Sequence, residues 1–375
     1  MTRVFVFSLL VSLCAALHAA APRPPSVLGR AWIVGDLTSG QLLATQRADE
    51  RIEPASLTKL MTAYLVFKAM REGKLTADQQ VKVSPRAWQQ PGSRMFIEPR
   101  FPVSVDELIR GMEVHSGNDA CVALAEAVAG SEEVFAELMN REAARLGMKD
   151  SHFMNPTGLP DARHYSTAAD LYRLAAALIR DFPAEYAQYY ALKEFRYRAI
   201  SQPNRNRLLW LDPSVDGVKT GHTEAAGWCL IASSRRGGRR LLSVVLGTPS
   251  DSARTQESLK LLNWGFQLFD NVRLYSAGDV VKAVPVWKGT SGEVKAGTGE
   301  DLYVTVPRGE EDRLKAELVS QQPLVAPLAK GDRVGVLRVT FEGRPYVEHA
   351  VIALEPVAPA GVFKRAWDTL RLWLK

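Results

Sequence analysis

A chain of 375 residues with 46% hydrophobic and 23% charged side chains is long enough for two domains with separate cores, and its composition excludes a disordered chain. The formal charge of +6 is spread without a Lys/Arg run or basic–aromatic interleaving, which gives no support to a nucleic-acid partner and leaves a mild attraction to anionic surfaces. The 6 histidines show no HExxH or other paired spacing and no Gly-rich phosphate loop occurs, so neither a metal nor another cofactor is implied.

The chain opens on MTRVFVFSLLVSLCAALHAAAPRPP, with one early cation (Arg3), an apolar run from Val4 to Leu17, and small residues before a Pro-rich stretch. That order predicts an export signal over residues 1–21, cleaved among Ala19 to Ala21. The run is shorter than the ~20 residues a bilayer span needs, and bulky Leu13 before Cys14 argues against a lipoprotein. Cys121 and Cys229, each in an apolar segment, read as buried free thiols.

RAWIVGD and QLLATQ alternate around LTSG and predict a hairpin. Helical patterns follow over 54–70, around VDELIRGM, and over 119–128, 131–146 and 167–180, the last opened by Thr167 and Asp170 as a capping pair. Strand signals return in VDGVKTGHT, GWCLIASS and RRLLSVVLGT, and 250–269 is again helical. Strands at both ends of a helical middle predict one sheet covered by helices, a single α/β domain over 27–270. Short β-rich runs with Gly turns then predict a small all-β domain over 274–355. After PVAPAG, a helix over 360–375 would place Phe363, Ala366, Trp367, Leu370, Trp373 and Leu374 on one side and Lys364, Arg365, Asp368, Arg371 and Lys375 largely on the other, which predicts a helix lying in a membrane interface.

Within PASLTKLMT, Ser56 and Lys59 stand three apart and share a helix face. Leu57, Leu60, Met61, Tyr64 and Leu65 surround the amine with hydrocarbon, which disfavours the ammonium and turns the lysine into a base for the serine hydroxyl. Backbone N–H groups at the start of the helix would meet a developing oxyanion. Further on, HSGND offers the Ser116 hydroxyl and the Asn118 carboxamide at another helix start. VKTGHT writes Lys219, Thr220 and Gly221 into a strand, where the lysine supplies a cation, the glycine permits close approach, and an open edge can pair with an extended peptide. His115 is expected only to pack locally.

S-x-x-K, S-x-N and K-T-G in this order resemble the signature of penicillin-recognising serine enzymes. PASLTKLMT, SGNDACVALAE, NPTGLPD, HYSTAADL, NRNRLLW, VDGVKTGHTEAAGW and ESLKLLNWGF narrow the likeness to D-alanyl-D-alanine carboxypeptidases among the low-molecular-mass penicillin-binding proteins. The resemblance implies a transpeptidase/β-lactamase-like α/β domain that removes the last D-alanine from peptidoglycan pentapeptide stems and is acylated by β-lactams. It implies Ser56 as nucleophile, Lys59 as base, the N–H groups of Ser56 and His222 as oxyanion hole, Ser116 as proton relay and Asn118 as holder of the substrate amide. Lys219 and Thr220 would orient the terminal carboxylate, with Arg254 as its clamp and Arg205 as a further contact, a role open to Arg207 as well. The expected place is the periplasmic face of the cytoplasmic membrane, held by the C-terminal helix. A serine β-lactamase is disfavoured because Glu137 in AELMN sits at the wrong spacing for a deacylating glutamate. A stem-cutting endopeptidase shares the motifs, and a non-catalytic scaffold would have no need of all of them.

Overall fold

The computed structural model describes residues 22–374. The expected signal over 1–21, with Cys14, lies outside the described residues, as does Lys375. The first two strands, β1 (Ala31–Asp36) and β2 (Gln41–Gln46), form the expected hairpin. They join β3 (Val215–Thr223), β4 (Gly227–Arg236) and β5 (Arg239–Thr248) in one antiparallel sheet ordered β2–β1–β5–β4–β3. Side chains alternate across the central strands, and each face feeds a different core. Ile33, Ile231, Leu242, Val244 and Leu246 enter the large helical core, whereas Trp32, Val34, Leu230, Ala232 and Leu241 point the other way. A sheet covered on both faces explains why these strands read as continuous apolar runs.

The helical middle comprises α1 (Lys59–Arg71), α2 (Val105–Val114), α3 (Asn118–Ala129), α4 (Glu132–Arg145), α5 (Ala168–Asp181) and α6 (Pro183–Tyr189). Of these, α5 packs on the inner face of the sheet, and α7 (Asp251–Leu268) covers the outer face. Helix α1 is buried nearly all round, from Lys59 through Ala69, so its residues need no amphipathic stripe. The helix expected over 54–70 is a 3-10 turn, Ala55–Thr58, leading into α1. Its cause is local: Pro54 precedes the turn, Ala55 sits at φ +49°, and the Leu57 N–H closes on the Pro54 carbonyl at 3.1 Å. Thr167 caps α5 by accepting from the Asp170 N–H at 3.1 Å, but the Asp170 carboxylate turns to Ser151 and the Asp150 N–H, so the cap is one-sided.

Beyond α7 the chain is β-rich. Phe269–Tyr275 pairs with Leu302–Pro307, and six further strands form a second sheet around Val284, Val294, Leu337, Val339 and Val351. Ser39 and Gln41 at the β1–β2 turn bind Thr305 of this part, at 2.6 Å between hydroxyls and 2.7 Å from the Thr305 N–H to the Gln41 Oε1. The terminal helix α8 (Val362–Trp373) docks by its polar side: Asp368 accepts from the Lys288 N–H at 2.7 Å, and Arg371 lies over Trp287. Its apolar side faces outward, with Phe363 94% and Trp373 83% exposed. Among the described residues no helix is long and apolar enough to cross a membrane.

Candidate active site

The 3-10 turn carrying Ser56 rests on the NPTGLPD loop. Asn155 accepts from the N–H groups of Thr157, Gly158 and Leu159 at 3.2, 2.8 and 3.2 Å, which curls the loop back on itself. Gly158, at φ +83°, comes so close that a Cβ on it would stand 1.8 Å from the Ala55 carbonyl oxygen. Thr58 and Thr62 fasten the same loop through His164 (2.9 Å) and the Pro156 carbonyl (2.7 Å). The serine turn is therefore clamped from below.

Lys59 is fully buried and spends all three N–H donors: on Ser56 Oγ at 3.1 Å, Asn118 Oδ1 at 2.7 Å and the Thr157 carbonyl at 2.6 Å. Burial brings its pKa down to about 8, with nearby Arg205 pushing the same way and Glu113 opposing. Asn118 stands at the head of α3, its Nδ2 donating to the Pro91 carbonyl at 2.7 Å, which leaves one amide hydrogen free. Asp119 accepts from the N–H groups of Met95, Phe96 and Ile97 and so ties the 91–97 segment over the head of α3. Ser116 sits at φ +64°, buried, with no hydrogen-bond partner for its Oγ among the described residues. A non-glycine residue held in that region, beside a reactive pair, is the kind of strain functional sites retain.

The other wall is β3, the edge of the sheet. Gly221 packs against Pro54 and Ala55, where a Cβ would come within 3.1 Å of the Pro54 carbonyl oxygen, so the backbones of Ser56 and His222 flank one cleft. His222 is exposed and lies over Trp228, ring centres 4.0 Å apart. Lys219 and Thr220 are buried. Burial lowers the Lys219 pKa, and Glu113 opposes the fall. Arg254, on α7, is 4% exposed; it donates to the carbonyls of Gly221 (3.1 Å) and Cys229 (3.3 Å), pairs with Asp251, and stacks over Trp228.

Ser56, Ser116, Asn118, Thr220, Gly221, His222, Arg254 and Arg205 line one cleft of about 210 Å³; Lys59 is buried behind Ser56 and Asn118, to which it donates, and Lys219 is buried next to Thr220 on β3. Arg207 instead turns to Asp251 at 3.6 Å and lines a separate depression. His115 does more than pack: its Nε2 lies 3.3 Å from Arg205. Cys121 and Cys229 are free and buried, and Glu137 is exposed on α4. Among the described residues no group of three His, Cys, Asp or Glu side chains is placed to hold a metal. Sequence reading missed the Thr157 carbonyl, which leaves no trace in residue type, and Trp228 and Glu113. The signal for Glu113 was there: a carboxyl four residues after Ile109 in an apolar stripe.

The sequence matches the D-alanyl-D-alanine carboxypeptidase family over residues 18–250 and the penicillin-binding protein 5 C-terminal domain over 269–358. D-alanyl-D-alanine carboxypeptidase DacC of Escherichia coli strain K12 is 44% identical over 352 residues, covering 92% of this chain and 88% of its own. Penicillin binding protein 5 from Haemophilus influenzae superposes with a TM-score of 0.85 at 38% identity, over 90% of this chain and 99% of its own. Penicillin-Binding Protein D2 from Listeria monocytogenes, solved in an ampicillin-bound form, superposes with a TM-score of 0.60 at 30% identity, over 66% of this chain and 100% of its own.

Proposed function

Because the chain belongs to the D-alanyl-D-alanine carboxypeptidase family and is a serine-type hydrolase, we propose that Ser56 carries its chemistry on the terminal D-Ala-D-Ala of peptidoglycan pentapeptide stems. The observation that carries the assignment is the fully buried Lys59 amine 3.1 Å from Ser56 Oγ, with its pKa lowered to about 8. A neutral amine at that distance accepts the serine proton as Oγ attacks the carbonyl carbon. The oxyanion then forms between the N–H groups of Ser56 and His222. When the C–N bond breaks, the leaving D-alanine amine takes a proton passed through Ser116, whose Oγ, without a hydrogen-bond partner among the described residues, is free to relay it. Water hydrolyses the acyl-enzyme and releases a tetrapeptide stem. The free amide hydrogen of Asn118 holds the substrate amide. Lys219, Thr220 and Arg254, with Arg205 at the mouth, supply the cationic field for the terminal carboxylate.

A β-lactam presents a carbonyl and a carboxylate to the same groups and acylates Ser56. In this reading residues 1–21 are an export signal, 27–270 the catalytic unit and 274–355 the β-rich unit, with 360–375 lying in the outer surface of the cytoplasmic membrane. The exposed Phe363, Trp367, Trp373 and Leu374 beside Lys364, Arg365 and Arg371 support the last assignment. Incubation with a labelled penicillin followed by peptide mapping is expected to place one adduct on Ser56 and none in Ser56→Ala. An adduct elsewhere, or label retained by Ser56→Ala, would remove Ser56 as nucleophile.

A further inference from the structure

Helix α2 carries a carboxyl where its pattern calls for hydrocarbon. Val105, Leu108, Ile109 and Met112 enter the core, and Glu113 goes with them, 3% exposed. Among the described residues no hydrogen bond of ordinary geometry reaches either of its oxygens, and the polar group that faces it from beyond α6 is the Tyr190 hydroxyl, which makes no such bond elsewhere. Tyr190 in turn packs against β3, where a Cβ on Gly217 would stand 3.3 Å from its own Cβ. Buried carboxyls left unpartnered are rare, and one lying behind a reactive site calls for a cause.

The cause is charge. The groups facing Glu113 are Lys219 from β3, Tyr190, and Lys59 from α1. Those acting most on Lys219 are Glu113, Lys59, Arg205 and Arg254, one carboxyl against three cations. Without an anion nearby, an ammonium enclosed with three other cations would lose its proton.

We propose that Glu113 is a positioning residue for the reaction: from behind the cleft, its carboxylate holds the proton on Lys219 and so maintains the cation that orients the substrate carboxylate. The pair holds one proton between them, Glu113 carboxylate with Lys219 ammonium or Glu113 carboxyl with Lys219 amine, and titrates as a unit. Burial disfavours the charged form of each, while each charge favours the other. The proposal rests on the reading of Lys219 given above.

The test is the pH profile of kcat/KM for release of D-alanine from a pentapeptide ending in D-Ala-D-Ala, with Glu113→Gln and Lys219→Met beside the unaltered protein. In Glu113→Gln the ammonium loses its counter-charge, so Lys219 deprotonates at lower pH. The alkaline limb should move down by about one unit. Release above that limb should then fall about ten-fold, carried by KM, with little change below it. Should the amide leave the chain unfolded, Glu113→Met fills the same space without a polar group and is expected to show the same displaced limb. An unmoved limb in a folded Glu113 variant, with Lys219→Met impaired, overturns the proposal alone. A Lys219→Met enzyme with unaltered KM overturns it together with the reading of Lys219.

Discussion

Lys59→Met is expected to lose at least about 10³-fold in the rate of Ser56 acylation while remaining folded. Positioned bases contribute about 10²–10⁴-fold, and among the described residues the hydrogen bond to Ser56 Oγ comes from Lys59. Its burial sets the direction of the pH response: the amine is protonated below about 8 and neutral above, so acylation rises with pH through that value. The variant should lose that rise as well as the rate. Folding should survive, because methionine removes a buried charge, and its desolvation cost, at the same time as it removes three hydrogen bonds. Leaving Asn118 Oδ1 and the Thr157 carbonyl without that donor should still lower the melting temperature, at about 1–3 kcal/mol for each orphaned acceptor. Stopped-flow acylation by a chromogenic β-lactam between pH 6 and 10 measures both effects. A variant that keeps the rise with pH would assign the base to another group.

Arg254→Gln is expected to lower kcat/KM for D-alanine release by about 10²-fold, mostly through KM. Hydrogen bonds to charged groups contribute about 1.5–3 kcal/mol each, and every 1.4 kcal/mol is a factor of ten. Arg254 makes such bonds to the Gly221 and Cys229 carbonyls and stacks over Trp228, so the glutamine removes both a cation from the cleft and a brace from the edge strand. Structural loss and loss of charge separate in the variant's response to substrate: a peptide ending in a terminal amide presents no carboxylate, so any deficit of Arg254→Gln on it measures the lost brace, and the extra deficit on the acid substrate measures the lost charge. If Arg254→Gln treats the acid substrate as the unaltered protein does, Arg254 only fastens α7 to β3 and β4.

Chain order and periodicity made the architecture legible. The apolar run of β1, buried throughout rather than alternating, and the continuous apolar runs of β4 and β5 announced a central sheet. Segments more than 170 residues apart could be joined because their patterns needed a common core. The Ser56–Lys59 pair was legible because both groups lie in one short segment. Less was visible where a position depends on backbone. The 3-10 turn under Ser56 depends on the positive φ of Ala55, which its residue type does not announce, and the Thr157 carbonyl is chemically anonymous in a sequence. Arg205 and Arg207 could not be told apart by type, and only the fold turns one to the cleft and the other to Asp251. Helix α6 and the hairpin of Glu194–Tyr197 with Ile200–Pro203 also escaped, being short and without strong periodicity.

The most direct measurement is steady-state release of free D-alanine from a pentapeptide ending in D-Ala-D-Ala, by the chain without residues 1–21 and 360–375, beside the same chain carrying Ser56→Ala. Continuous release over many turnovers that disappears in Ser56→Ala is the predicted result. A folded protein that is acylated by a β-lactam on Ser56 yet releases no D-alanine would contradict the account.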